Sequence, residues 1–219
     1  MAHIVITGAN RGIGLEMARQ FAARGDTVTA LCRSASPALR DLGARIIEDV
    51  DVTGDDLGGL TEALGDSPID ILVNNAGLLG FEHLGDLNLA SIRQQFEVNA
   101  LGPLKITHAL LGNLREGSKV GLVTSRMGSI ADNTSGGQYG YRMSKAALNM
   151  AGVSLAHDLK RKGIAVVLLH PGFVRTEMTR GNGNVDPDEA AKGLIARIDA
   201  LTLETTGTFW HADGQALPW

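Results

Sequence analysis

The sequence predicts an α/β fold, a doubly wound parallel sheet of about seven strands with helices on both faces. Three observations carry this expectation. Short apolar, β-branched runs recur at 3–7, 27–31, 45–50, 69–73, 119–124, 164–169 and 207–211. Longer segments with apolar residues at helical spacing lie between them, and strand-helix alternation with right-handed crossovers yields a parallel sheet. Finally, Ile71-Leu72-Val73 and Val167-Leu168-Leu169 are apolar without alternation, as in strands covered on both faces.

The elements follow in order. The first strand ends in Thr7-Gly8-Ala9-Asn10-Arg11-Gly12-Ile13-Gly14 and passes directly into a helix whose buried stripe is Ile13, Met17, Ala18 and Phe21. The second strand closes on Leu31-Cys32-Arg33-Ser34, and Asp51 and Val52 follow the third. The fourth runs into Asn74-Asn75-Ala76-Gly77, after which Leu89, Ile92, Phe96 and Val98 begin a long helix expected to run past Leu110. Ser125 follows the fifth strand, and another helix is expected from about Gln138 to Lys162, stopped by Gly163. The last helix has a start signal: Asp186 to cap, Pro187 at the first position, and Glu189 at capping-box spacing. The polar, glycine-containing stretch from Thr179 to Asn184 is expected to be a mobile surface loop. No repeat or linker divides the chain, so residues 1–219 are expected to form one domain.

Composition narrows the function classes. A chain with 44% hydrophobic and 20% charged residues is ordinary for a soluble globular protein and has no membrane span. The net charge is -4 and the Lys and Arg residues are scattered, which argues against a nucleic-acid partner. A single cysteine, Cys32, excludes an intrachain disulfide, and the six histidines show no metal-ligand spacing, so no metal is expected. Cys32 itself reads as a buried, inert thiol. The first apolar run is too short for a secretory signal, and a cytoplasmic protein is expected. The 28 glycines are roughly double the usual share of about 7% and imply many tight turns or close backbone approaches.

Two constellations carry chemistry. Glycines at 8, 12 and 14, placed between the first strand and first helix, let the backbone turn sharply and approach a pyrophosphate, while the helix N-terminus offers unpaired N–H groups to the anion. Their spacing differs from the usual GxGxxG. Tyr141 and Lys145 are four apart on one helix face, and an ammonium near a phenol favours the phenolate, which brings tyrosine toward proton exchange near neutral pH. Ser125 stands at the carboxyl edge of the sheet, where its hydroxyl is placed to steady a substrate oxygen.

Together, Thr7-Gly8-x-x-x-Gly12-x-Gly14, Asn74-Asn75-Ala76-Gly77, Asn99, Ser125, Tyr141-x-x-x-Lys145 and Pro171-Gly172 resemble the short-chain dehydrogenase/reductases over nearly the whole chain. The segments 140–149 and 170–176 look most like the C-factor and carbonyl-reductase branch. The resemblance implies a Rossmann-like fold and hydride transfer between NADP(H) and a carbonyl or alcohol substrate. In that mechanism Tyr141 protonates the oxygen, Ser125 bonds to it, Lys145 holds the nicotinamide ribose and Asn99 holds a relay water. It further implies that Gly8, Asn10, Arg11, Gly12, Ile13 and Gly14 cradle the cofactor. Asp51 and Val52 would contact adenine, Asn75 the adenosine ribose side, and Val174 and Thr176 the nicotinamide end, with Ala76, Gly77, Pro171 and Gly172 also binding the cofactor. Asp51 has the alternative of simply capping the segment that follows. Relatives associate through the helix after Gln138, which implies a homodimer or homotetramer.

The sequence departs from that pattern in two places. Ser125 is sixteen residues before Tyr141, with 132–137 as a loop absorbing the excess, and the loop after Thr176 is short. Tyr139 reads as pocket wall rather than acid, and Met127, Tyr139, Phe173 and Met178 suggest a partly apolar pocket. Where an NAD-selective protein would place an acid after the second strand, this chain has Arg33, so a 2'-phosphate is expected there, with Arg11 and Ser34 near it and NADP(H) preferred over NAD(H). Two other readings stand beside this one: an NADP(H)-binding signalling or sensor protein with incidental turnover, and an enoyl reductase, which normally needs a longer Tyr-to-Lys spacing.

Overall fold

The computed structural model describes all 219 residues. Seven strands form one sheet: β1 (His3–Thr7), β2 (Thr27–Leu31), β3 (Arg45–Ile47), β4 (Ile69–Asn74), β5 (Leu114–Val123), β6 (Ala165–His170) and β7 (Thr208–His211). Their order is β3-β2-β1-β4-β5-β6-β7 and every pairing is parallel. The helices are α1 (Gly12–Ala23), α2 (Pro37–Arg40), α3 (Gly58–Leu64), α4 (Leu89–Phe96), α5 (Gly102–Ala109), α6 (Tyr139–Lys160) and α7 (Pro187–Asp199). Buried apolar residues form two layers of nearly equal size, 21 and 20 residues, so both faces of the sheet are covered, as the doubly wound reading requires. One layer joins the sheet to α1 and α7 through Met17, Phe21, Leu194 and Ile198. The other joins it to α5 and α6 through Ile106, Leu148, Ala156 and Leu159.

The sheet order reverses between β1 and β4. Loops leaving the carboxyl ends of these two strands diverge to opposite sides and open a crevice there. The glycine turn leaves β1, and Asn75-Ala76-Gly77 leaves β4.

Five elements differ from the sequence expectation, one being the fifth strand, which begins at Leu114 rather than Lys119. The third strand ends at Ile47 rather than Val50, because Asp49 takes a left-handed turn at φ 59°. The helix expected from Leu89 past Leu110 is divided by a π-helical turn over Glu97–Leu101. Pro103 explains the break: it has no N–H to donate to the carbonyl four residues earlier, that of Asn99, so the regular ladder fails at this point. Asp186 has extended cap backbone but makes no capping bond, since its carboxylate pairs with Arg175 at 2.8 Å. The stretch from Thr179 to Asn184 is folded into turns rather than left loose. Gly181 N–H donates to Thr176 O at 2.8 Å, and Asn184 N–H to Phe173 O at 2.8 Å.

Candidate active site

The glycine turn is shaped by close contacts that a side chain would block. A Cβ on Gly14 would stand 2.4 Å from Gly8 O, and Gly8 has φ 65° with Ala76 Cα 2.9 Å from where its Cβ would be. The turn is thus packed tightly against the end of β4. Asn75 completes this packing, donating its side-chain amide to Thr7 O at 3.1 Å and Gly8 O at 3.2 Å, while Thr7 Oγ1 accepts from the backbone N–H groups of Asn75 and Ala76. Its side chain is committed to shaping the turn. The N–H groups of Asn10, Arg11, Gly12, Ile13 and Gly14 have no acceptor in the chain, as the start of a helix dictates, and they form the kind of concavity that receives an anion.

Three expected side chains meet at the carboxyl edge of β5. Ser125 is buried, lies two residues past the end of β5, and its hydroxyl accepts from Met127 N–H at 3.1 Å and is near enough to the Tyr141 hydroxyl to favour its ionised form. The loop between Ser125 and Tyr141, longer than the resemblance leads one to expect, still lets the two meet. Gly128 is what allows it. A Cβ there would stand 2.6 Å from the Lys145 carbonyl carbon, so the turn after Ser125 lies directly on α6. Thr124 and Asn149 reinforce this contact through a 2.7 Å hydrogen bond.

Electrostatics at this cluster correct the sequence expectation. Burial pushes the Tyr141 hydroxyl up to about 12, only partly opposed by the nearby Ser125 hydroxyl. Lys145 is 4% exposed and burial pulls its ammonium down to about 7. The ammonium donates to Val123 O at 2.8 Å and lies 5.8 Å from the centre of the Tyr141 ring. The group poised near neutrality is therefore Lys145, while Tyr141 holds its proton. Desolvation outweighs the attraction between the pair because both are removed from water.

Asn99 is fully buried in the π-helical turn. Its Oδ1 accepts from Leu78 N–H at 2.7 Å, and its Nδ2 donates to Leu78 O at 2.8 Å and to Ser144 Oγ at 3.0 Å. Ser144 in turn donates to Tyr141 O at 2.9 Å. This residue was missed from sequence, although its position, one before Lys145 on α6, was a usable signal.

The remaining expected residues line the crevice unevenly. Arg33 is exposed at the end of β2 and near enough to Asp51 to act on its carboxyl, which two bonds from Thr53 hold below the usual carboxylate range. Those bonds form a turn with Thr53, the capping alternative for Asp51. Val52 packs against Gly102, where a Cβ would be 3.0 Å from it. Arg11 pairs with Glu177 on the surface. Thr176 lies against Gly12, and Val174 is buried and bridges Val185. Pro171 and Gly172 follow His170, whose ring meets His211 edge-on at 4.9 Å and is pushed by burial to about 3. That histidine pair was also missed.

Two residues before Tyr141, the start of α6 also walls a cavity of about 560 Å³ together with the loop after β4, its lining including Phe81, His83, Ser135 and Tyr139. Tyr139 is thus wall, as expected, whereas Met127, Phe173 and Met178 are not among its wall residues. Residues 2–186 match the sequence profile of the short chain dehydrogenase family. The chain belongs to that family. This short-chain dehydrogenase is 42% identical over 226 residues to the 1-hydroxy-2-glutathionyl-2-methyl-3-butene dehydrogenase of Rhodococcus sp. (strain AD45), with both chains covered completely. It is 47% identical over 155 residues to the C-signal protein of Myxococcus xanthus, covering 69% of this chain and 93% of that one. Its fold matches the crystal structure of NADPH-bound carbonyl reductase from chicken fatty liver with a TM-score of 0.90 and 27% identity, over 100% of this chain and 99% of the other. These similarities bear out the family, the fold and the C-factor and carbonyl-reductase branch.

Proposed function

We propose that this short-chain dehydrogenase is an NADP(H)-dependent carbonyl reductase in which Tyr141 is the general acid and base. The observation that carries the reading is the meeting of Ser125, Tyr141 and Lys145 beside the open N–H groups of the glycine turn. The crevice fits a dinucleotide: the turn has no Cβ where a pyrophosphate would approach, Arg33 is exposed at the far end, and the two carboxylates bonded to the backbone there are engaged, Glu48 with Arg40 and Asp51 with Thr53. Residues 8, 10–14, 33, 51, 52, 75–77, 171, 172, 174 and 176 would hold the cofactor, which when bound supplies a hydride to a carbonyl carbon.

The chain's own residues do the rest. Tyr141, kept protonated by burial, gives its proton to the developing alkoxide, and Ser125 donates a second hydrogen bond to the same oxygen. Lys145, which exchanges protons near neutrality, resupplies Tyr141 and also bonds the cofactor ribose. Asn99 and Ser144 hold the helix that carries Tyr141 and Lys145 at the correct depth. Single-domain architecture, a cytoplasmic location and a homodimer or homotetramer are part of the same reading. The test is NADPH oxidation across aldehydes, ketones and quinones. Turnover that vanishes in Tyr141→Phe supports the proposal. The similarity to the C-signal protein favours a second reading, a signalling protein, which tight NADPH binding with no turnover across that panel would support.

A further inference from the structure

Two arginines contact wall residues of the cavity at the start of α6, and no acid is among those wall residues. Arg180 places its guanidinium 5.0 Å above the ring of Phe81, an exposed wall residue. Arg142 donates to Gly136 O at 3.1 Å and Ser135 Oγ at 2.8 Å, both wall residues, and His83 lies against Gly137. Neither arginine is paired with a carboxylate, in a chain whose acids outnumber its Lys and Arg by 24 to 20.

Two of the surrounding acids are paired elsewhere. Glu177 pairs with Arg11 and Asp132 with Arg126. Glu82 is buried, with one carboxylate oxygen bonded to Ser91 and Gln95 and the other buried without a partner, and Asp86, which shares a turn with His83, lies outside the wall. The first turn of α6, which opens into the cavity at Tyr139, also has no acidic residue. Phe81, Leu84 and Tyr139 give the same space an apolar side. An aliphatic chain fits against that side, and two unpaired guanidinium groups suit a carboxylate at its end.

We propose that this cavity is a subsite for the far end of the substrate and selects carbonyl compounds that bear a carboxylate. The proposal rests on the carbonyl-reductase reading above. Arg180 and Arg142 are its specificity residues.

The test compares 9-oxononanoate with its methyl ester as substrates with NADPH. The wild type is expected to favour the carboxylate by about tenfold in kcat/KM, carried by KM, as for a partly exposed charge-assisted bond. The preference should fall toward one in Arg180→Gln and Arg142→Gln and return in Arg180→Lys. Equal kcat/KM for the two compounds in the wild type, or a preference unchanged in both glutamine variants, overturns the subsite while leaving the carbonyl-reductase reading intact. If neither compound is reduced, that reading fails for aldehydes. The subsite is then decided by titration calorimetry of the same two compounds: tenfold tighter binding of 9-oxononanoate supports it, and equal or absent binding overturns it.

Discussion

Asn99 donates to the hydroxyl of Ser144 at 3.0 Å, joining the π-helical turn to the residue that precedes Lys145 on α6. Because Ser144 also donates to Tyr141 O, one hydroxyl links the turn to the backbone of both reactive residues. Ser144→Ala removes both bonds and leaves Asn99 Nδ2 with Leu78 O alone. We expect a loss of about 1–2 kcal/mol in urea unfolding, with a fall in kcat larger than the change in KM. Unchanged kcat would show that this hydroxyl does not position the site.

Tyr141→Phe removes a proton and almost no volume. Turnover should drop by about 100-fold or more, the usual worth of a general acid, while NADPH binding measured by fluorescence stays close to wild type. Retention of a tenth of the activity would assign the acid elsewhere.

Lys145 predicts a pH dependence of stability. Its folded pKa, about 7, is below the ordinary lysine value of 10.5, so between these values the unfolded chain binds a proton that the folded chain lacks. This contribution costs stability fully below pH 7 and is relieved as pH rises toward 10.5. Lys145→Met removes the cost, and at pH 7 it should melt above wild type by an amount equivalent to about 1–2 kcal/mol while being inactive. Thermal melts at pH 7 and pH 9.5 should show the gap narrowing. A variant that melts below wild type at pH 7 would contradict the cost assigned to the buried ammonium.

Gly128→Ala tests the seating of Ser125. Its new methyl would stand 2.6 Å from the Lys145 backbone, and the 126–128 turn must lift to admit it. A destabilisation of about 1–3 kcal/mol is expected, together with loss of activity as Ser125 parts from Tyr141. Near-wild-type values for both would mean that the turn absorbs the methyl without moving Ser125.

Arg33→Asp addresses the cofactor. If Arg33 bonds the 2'-phosphate, the substitution should weaken NADPH by about 1.5–3 kcal/mol, tenfold to roughly a hundredfold, and NADH far less. The wild-type preference should shrink as salt rises, because Arg33 is exposed. Equal catalytic efficiency with both cofactors in the wild type would remove the role from Arg33.

Strand and helix alternation, the glycine turn and the four-residue spacing of Tyr141 and Lys145 were all determined by the sequence alone. Each is a local property: a period of apolar residues, a backbone freed by glycine, or a helical repeat that puts two side chains on one face. Pro103 even announced the break in the long helix, although the regular apolar spacing on either side concealed it. Tertiary structure decided what depends on segments far apart in the chain. Whether Tyr141 or Lys145 titrates near neutrality followed from burial, which no spacing reports, and the outcome reversed the local expectation. Asn99 found Leu78 and Ser144, Asp186 chose Arg175 over its own helix, and Arg142 and Arg180 each reached a wall residue of one cavity because the sheet brings three loops to the same edge. Partners and solvation are set by packing across the whole fold, and a linear pattern carries no measure of either.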